Sequence, residues 1–590
     1  MKRTGRAIII FILIIGCIFG LWFYGSYRGK KIQETGQTIS NVYITSVSGS
    51  TVQFLSGDKM FSYDTASVLT GSAIAGVADI RLQREKITKI YQKPEEIQGK
   101  LLKIHNQSLT IEGYGEVPLD DNFVVYQRRE DGSVSDAAVS ALLVGDEKLH
   151  FVAAGGKICA VVMSYEESQN IRVLLKDYEK DTYDMESVTV TSDQNYQVLI
   201  KDERTDHAKG EEVTFTAQNT DDRIQVIPEN GGKIAVINLK RSQGIPYYRG
   251  KLEIDRQEDA LHVINEVPLE EYLYSVVPSE MPSEYSEEAL KTQAICARTY
   301  AISQMKNQRL AQMGAHVDDS VSYQVYNNLK EDEKTIKAVD ETRGKVVTYK
   351  NEPVSAYFYS TSCGSSEGTK DVWYTKEDAE YLPSQYLTIP RQECNLKSEE
   401  EFKKFIQNPP DTVDRSSSWY RWKATISKDT IQKSIENKIA ERIKANATQI
   451  QIKDSDGNFH AGKIESIGSI QAIRIKERGT GGVVSMMEVE GSENTIRIYT
   501  EYNIRMLLGD ETIRYLRGDK KEVSGLGILP SGYFYIKEKD DSFVIRGGGY
   551  GHGVGMSQTG ANELAKRGKT AEEIIAFYFP QTVVQERGAL

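Results

Sequence analysis

The chain is poor in cysteine, with five in 590 residues at Cys17, Cys159, Cys296, Cys363 and Cys394, spaced too widely for a disulfide framework or a CxxC metal-ligand pair. Cys363 and Cys394 share one irregular stretch and are the pair a bridge would join, but a chain of this length can bury its own cores without one. There is no excess of basic residues. With 73 Lys and Arg against 84 Asp and Glu, the net charge of -11 excludes an electrostatic footprint for nucleic acid, so any polyanionic partner must be recognised locally. No HExxH helix occurs, which argues against zincin chemistry. Long apolar runs are confined to the first residues.

That one run, AIIIFILIIGCIFGLWFY at residues 7–24, is 18 residues long and uncharged, just enough to span a bilayer. Lys2, Arg3 and Arg6 precede it, Arg28, Lys30 and Lys31 follow it, and Trp22, Phe23 and Tyr24 form an interfacial belt. No small-x-small cleavage site follows, so the reading is an uncleaved single-pass anchor with a short cytoplasmic tail at 1–6; a cleaved signal peptide is the alternative. The flanking charges balance and leave orientation to be argued from function.

Behind a polar linker at 25–40, residues 41–165 read as short strands with turn signals every eight to twelve positions, an all-β pattern. VSGSTVQFLSGDKMFSY and GVADIRLQREKITKI are faintly echoed by IHNQSLTIEGYGEVPLDDNFVVY and VGDEKLHFVAAGGKICAVV, so the region is read as a tandem pair of small barrel-like or sandwich modules. From residue 170 to 590 strands and helices mix, and the fold class expected for the chain is α+β. The strongest helix signal runs from Glu287 to Asn307: Ser286 is a sound N-cap, Glu287 and Glu288 occupy the first turn, and Leu290, Ala294, Ala297, Ala301 and Met305 recur at spacings of three and four.

Ahead of that helix stands VVPSEMPSEY. Pro278 and Pro282 bracket Glu280 and are expected to hold it in a non-helical connection, with Val276, Val277 and Met281 as apolar neighbours. A carboxyl group in apolar surroundings has its pKa raised, which is how a glutamic acid serves as a general acid near neutral pH. The competing reading makes Glu280 a structural carboxylate paired with the helix start or an arginine. A second candidate segment is GGGYGHGVGMSQTG near the C-terminus, whose glycines fit neither a dinucleotide fingerprint nor a phosphate loop. They let backbone approach backbone or a sugar ring, with His552 and Ser557 as polar groups at the rim; a histidine in such a turn is as readily structural.

Three blocks in order, VVPSEMP with EALKTQAICARTYA, YFYSTSCGSSE with DVW, and GYGHGVGMSQTGA, resemble the SpoIID family of stage II sporulation protein D lytic transglycosylases, related to the LytB amidase-enhancer proteins. The resemblance covers residues from about 171 onward. It implies that Glu280 is the catalytic acid and that Lys291, Gln293, Arg298, Gln324, Tyr326, Tyr359 and Ser360 line a glycan cleft. Peptidoglycan glycan strands stripped of stem peptides are the implied substrate, and septal wall thinning during engulfment the implied setting. A cell-wall amidase and other sporulation wall proteins are the implied partners, with the large domain on the outer face of the membrane. Some family members carry a zinc site of histidine and cysteine before the QVY motif. Here HVDDSVSY offers His316, Asp318 and Asp319 and no cysteine, so no metal or other cofactor is expected. The alternative within the same family is a glycan-binding amidase enhancer without catalysis.

Overall fold

A computed structural model of the chain describes residues 36–66, 75–93, 95–129, 131–164, 170–201, 203–220, 222–464 and 466–587. The expected tail, the anchor and the first part of the linker, 25–35, lie outside the described residues, among which no helix is long and apolar enough to cross a membrane. The described chain mixes α and β and is rich in strands. It divides into two compact units that alternate along the sequence: one holds the residues up to Ile234 with Gly250–Pro268 and Gln304–Asp318, the other Ala235–Arg249, Leu269–Ser303 and everything from Asp319.

The first unit begins with a closed five-stranded barrel, Gln37–Ser48, Thr51–Ser56, Lys59–Thr65, Gly76–Gln83 and Lys86–Gln92. Alternate positions point inward, and Val42, Ile44, Val52, Phe54, Ala78, Ile80 and Ile87 fill it. Its connectivity is a three-strand meander followed by a hairpin whose last strand runs parallel to the meander's third. The next module repeats that plan. Leu101–Ile104, Ser108–Ile111 and Gly115–Arg128 form the meander, and His150–Ala154 with Lys157–Ser164 the hairpin, again with a parallel pairing onto the third strand. The difference lies in the first strand, which is broken between Glu95–Gln98 and Leu101–Ile104, so each half pairs with a different neighbour.

Residues 170–234 fall with these modules because Asn170–Leu174 joins a seven-stranded sheet with Ala260–Pro268, Lys251–Gln257, Ile224–Pro228 and Tyr196–Ile200. A buried ionic knot fastens the second module to that sheet. Lys100 Nζ lies 2.9 Å from Glu253 Oε1 and 2.5 Å from Glu266 Oε2, and Arg172 Nη2 lies 2.6 Å from Glu253 Oε2 and also pairs with Glu266. Charges this deep persist only when mutually satisfied. Burial favours the neutral form of both carboxyls, but Arg172 and its neighbours outweigh it and hold them below the usual carboxylate range.

The second unit has two large apolar cores among the described residues, beside a smaller cluster of Met281, Ala289, Leu290 and Ala338. One gathers Ile295, Val347, Phe402, Val554, Met556 and Ile574, the other Trp422, Ile431, Ile435, Val489, Ile498 and Ile545. The expected long helix is present as Glu287–Met305. Another helix precedes it and runs further than the prolines suggest: Leu269–Glu280 buries Leu269, Tyr272, Leu273, Val276 and Val277 at spacings of three, one, three and one, with Pro278 in its last turn. Glu280 is therefore the final residue of a helix and not part of a non-helical connection. Pro278 has no N–H to give the Tyr274 carbonyl, so this helix lacks one bond of its ladder and ends two residues later. Cys159, Cys296, Cys363 and Cys394 are free and buried, so Cys363 and Cys394 are not bridged.

Candidate active site

The last turn of the Leu269–Glu280 helix holds the loop that follows Asp319. Ser279 Oγ accepts the amides of Asn328 and Leu329 at 3.1 and 3.2 Å, and Glu280 Oε1 accepts the Val325 amide at 2.7 Å. The far side of the loop is pinned by Arg241, whose Nη2 lies 2.5 Å from Asp319 Oδ2 with both side chains buried, and by Gln243 Nε2 donating to the Asn327 carbonyl at 2.6 Å. Beneath it Tyr326 packs between Tyr272 and Tyr248, with ring centroids 4.8 and 5.9 Å away. Gln324 accepts from Tyr272 Oη at 3.2 Å and donates to the Ala297 carbonyl at 3.3 Å. Gln324 and Tyr326 are thus buried supports of the loop.

Glu280 keeps partial solvent exposure, and no cation is among the groups acting on its carboxyl. Protein atoms crowded around it disfavour the charged form, the Val325 N–H partly compensates, and the pKa is pushed up to about 7. The group is consequently about half protonated at neutral pH, able to give a proton and to take one back.

The two cations of the long helix are committed elsewhere. Lys291 Nζ lies 3.1, 3.2 and 2.8 Å from carboxylate oxygens of Glu287, Glu288 and Glu341. Arg298 grips Glu270 through Nε and Nη2 at 2.8 and 2.7 Å and donates to the carbonyls of Lys345 and Val339. Gln293, between them, is fully buried; its Oε1 accepts from Gln558 at 3.4 Å and its Nε2 has no partner among the described residues.

Gln558 belongs to the second cluster. Phe358–Tyr359 pairs in parallel with Met556–Ser557, and Ser557 caps the helix Gln558–Lys566 through the Gly560 amide. Ser557, Thr559 and Ser362 all donate their hydroxyls to Asp414, a buried carboxylate with no cation among its partners, whose pKa burial raises against these donors. Tyr359 and Tyr578 are buried, which raises their phenol pKa values well above the usual, with the hydroxyls of Ser362 and Ser557 beside them acting in the opposite direction, while Ser360 is half-buried, with Oγ 3.3 Å from Thr361 Oγ1. Tyr285 links this cluster to the first. It packs with Met281 and Leu290, and burial, then Asp414, raise its phenol pKa.

Every second residue of the glycine run carries positive φ, at Gly549, Gly551, Gly553 and Gly555. A Cβ on Gly553 would meet Tyr533 Oη at 2.1 Å, and one on Gly555 the Tyr357 carbonyl at 2.2 Å, so the run is glycine because the chain passes against its neighbours without room for side chains. His552 Nε2 lies 3.0 Å from the Phe358 carbonyl and Nδ1 accepts the Val554 amide at 3.1 Å. The carbonyl can only accept, so Nε2 bears the proton and the ring is neutral; burial, then Arg505, bring its pKa down to about 4. Both ring nitrogens serve the backbone.

Residues 364–368, GSSEG, have the spacing of a nucleophile elbow, yet Ser366 Oγ donates to the Pro383 carbonyl at 3.0 Å and Glu367 accepts the Gly481 amide at 2.8 Å. His316, Asp318 and Asp319 are likewise engaged separately: His316 Nδ1 accepts the Arg172 amide, Asp318 accepts from Tyr183, and Asp319 pairs with Arg241. Sequence reasoning did not single out Asp414, Tyr285 or Val325. Asp414 sits in DTVDRSSSWY without a motif, and the Val325 amide carries no side-chain signal at all.

Residues 257–349 match the model of the family described as SpoIID, Stage II sporulation protein, and residues 367–555 match a domain of unknown function, DUF8618. Glu280, Lys291, Gln293, Arg298, Gln324 and Tyr326 fall in the first range and His552 in the second. The chain is similar to the amidase enhancer of Bacillus subtilis strain 168, 28% identical over 321 residues, which are 53% of this chain and 40% of that protein. It is 29% identical to stage II sporulation protein D of the same strain over 373 residues, 60% of this chain and 86% of the relative. With stage II sporulation protein D of Bacillus amyloliquefaciens it shares 29% over 339 residues, covering 55% and 76%. The chain thus spans less than half of the amidase enhancer and most of the two sporulation proteins.

Proposed function

We propose, from the match of residues 257–349 to the SpoIID family model and the similarity to stage II sporulation protein D, that the chain is a peptidoglycan lytic transglycosylase with Glu280 as its acid. One observation carries this reading: a partly exposed carboxyl, held by a single backbone amide and away from any cation, whose pKa is pushed up to about 7. Glu280 protonates the glycosidic oxygen between N-acetylmuramic acid and N-acetylglucosamine. As that bond breaks, the C6 hydroxyl of the muramic residue attacks its own C1, and its proton passes to the Glu280 carboxylate. The products are a freed N-acetylglucosamine end and a 1,6-anhydro-muramic end, with no water consumed. Assistance by the substrate's N-acetyl group makes a second carboxylate unnecessary.

In this reading Ser360, half-buried at the end of the strand that carries Tyr359, is the side chain of this group best placed to meet sugar hydroxyls, while Gln293 and Tyr359 lie buried behind it. Lys291, Arg298, Gln324, Tyr326, His552 and Ser557 hold the elements that present them. Residues 7–24 anchor the chain in the cell membrane with its large domain outside, where it thins septal wall during sporulation beside an amidase that strips the strands. A second reading rests on the similarity to the amidase enhancer: the chain binds glycan and stimulates a partner hydrolase. Incubation with amidase-treated peptidoglycan separates the two. Anhydro-muramic ends in the product mass spectrum support the lyase; intact strands together with accelerated amidase turnover support the enhancer.

A further inference from the structure

A cavity of about 470 Å³ opens in the second unit where the segment after Asp414 meets Arg421 and the turn at Gly518. Its charge is unusual for an acidic protein. The Arg421 guanidinium is spent on carbonyls: Nε donates to Ile406 at 2.8 Å, Nη1 to Cys363 and Tyr420 at 2.8 and 2.6 Å, and Nη2 to Phe405 at 3.3 Å. Four acceptors for five N–H groups leave one Nη2 hydrogen without a partner among the described residues, and no carboxylate neutralises the cation. Burial lowers its pKa, and the nearby Arg415 lowers it further. Arg415 is itself exposed and makes no ion pair among the described residues. The one acid on the wall, Asp519, is claimed by Arg517 at 2.6 Å, and Asp414 behind it is turned to the hydroxyls of Ser362, Ser557 and Thr559.

Two guanidinium groups facing one opening, whose one lining carboxylate is taken by a third arginine, make a site for an oxyanion, since arginine recognises carboxylate and phosphate through paired N–H donors. The rest of the wall says more about the ligand. Ser416, Ser417 and Ser418 line it in succession with Gln407, and its volume exceeds that of a bare ion and falls in the range of small-ligand pockets. Hydroxyl and amide groups at that density suit a ring bearing several hydroxyls. Ser417 Oγ lies 3.3 Å from Thr361 Oγ1, two positions past the Phe358–Tyr359 strand and next to Ser360.

We propose that this cavity binds an acidic saccharide residue, its carboxylate or phosphate seated between Arg415 and Arg421 and its hydroxyls on the three serines. The site does not depend on Glu280. If the chain acts on wall glycan as proposed above, the acidic saccharide is a muramic residue whose lactyl carboxylate is free.

The test is a calorimetric titration of the full chain with N-acetylmuramic acid, N-acetylglucosamine and inorganic phosphate, repeated on Arg415→Ala and on Glu280→Gln. Arg415 is exposed, so its loss should leave the melting temperature unchanged. The expected result is binding of N-acetylmuramic acid, no measurable binding of N-acetylglucosamine, competition by phosphate, about tenfold weaker binding in Arg415→Ala, and none of this altered by Glu280→Gln. Equal binding of both sugars, or equal affinity in Arg415→Ala, overturns the site; binding of phosphate alone overturns its saccharide character. Cleavage is not read in this experiment, so a failed lyase assay and a failed binding assay remain distinct.

Discussion

An acid that the fold keeps protonated must destabilise the fold once it ionises, and replacing Glu280 by glutamine measures that cost. The unfolded chain releases the Glu280 proton near pH 4.5, the folded chain only near pH 7, so the folded state is penalised progressively as pH rises through this window and fully above it. A shift of that size corresponds to about 3 kcal/mol at most, and the partial exposure of the side chain reduces it to roughly 1–2 kcal/mol. The amide introduced by Glu280→Gln is neutral at every pH, and its oxygen can still accept the Val325 N–H. The variant should therefore be more stable than the wild type at pH 8, by about 2–5 °C in melting temperature, and indistinguishable from it at pH 4. Three of the four tryptophans, Trp373, Trp419 and Trp422, lie in the second unit, so the change in tryptophan fluorescence during thermal unfolding is dominated by the part that contains Glu280. A variant equally stable at pH 8, or a difference that does not change between pH 4 and pH 8, would refute the raised pKa and with it the carboxyl's suitability as an acid.

The ionic knot of Lys100, Arg172, Glu253 and Glu266 has the opposite sign: its carboxyls are held below their unfolded values, so its contribution is present above pH 4.5 and is lost as pH falls through the folded values. Hydrogen exchange in residues 101–164 should accelerate once acidification takes the pH below the ordinary carboxylate range, and unchanged protection there would contradict the role of the knot. Arg298→Ala should cost about 3–5 kcal/mol by leaving the largely buried Glu270 unpaired, seen as a lowered melting temperature; a shift within error would make the pair incidental. Gly553→Ala should cost roughly 2–5 kcal/mol, because φ there is 80° and the new methyl would meet Tyr533 Oη, and normal folding yield would count against the close approach.

Local signals were the legible ones. The 3.6 period of Glu287–Met305 and the strand alternation of the N-terminal modules are properties of adjacent residues, and the faint echo between the two modules corresponds to one connectivity used twice. The last turn of the helix Leu269–Glu280 was hidden because Pro278 and Pro282 read as breakers, although its apolar residues already followed a helical spacing. Glu280 stood out through its apolar neighbours, whereas the amide that holds it comes from 45 positions away. Charge pairing was beyond reach for the same reason. Nothing near Arg298 in sequence says that Glu270, 28 positions upstream, will occupy it, and nothing near Asp414 announces three hydroxyls gathered from Ser362, Ser557 and Thr559. Segments 170–234 and 250–268 share a sheet through strand pairings that no local pattern encodes.

The central claim is that Glu280 transfers the proton that breaks the glycan strand. Mass spectrometry of amidase-treated peptidoglycan after incubation with the wild type and with Glu280→Gln, both verified as folded, tests it most directly. The account predicts 1,6-anhydro-muramic ends from the wild type and none from the variant. Equal yields from both would contradict it by showing that the proton comes from another group.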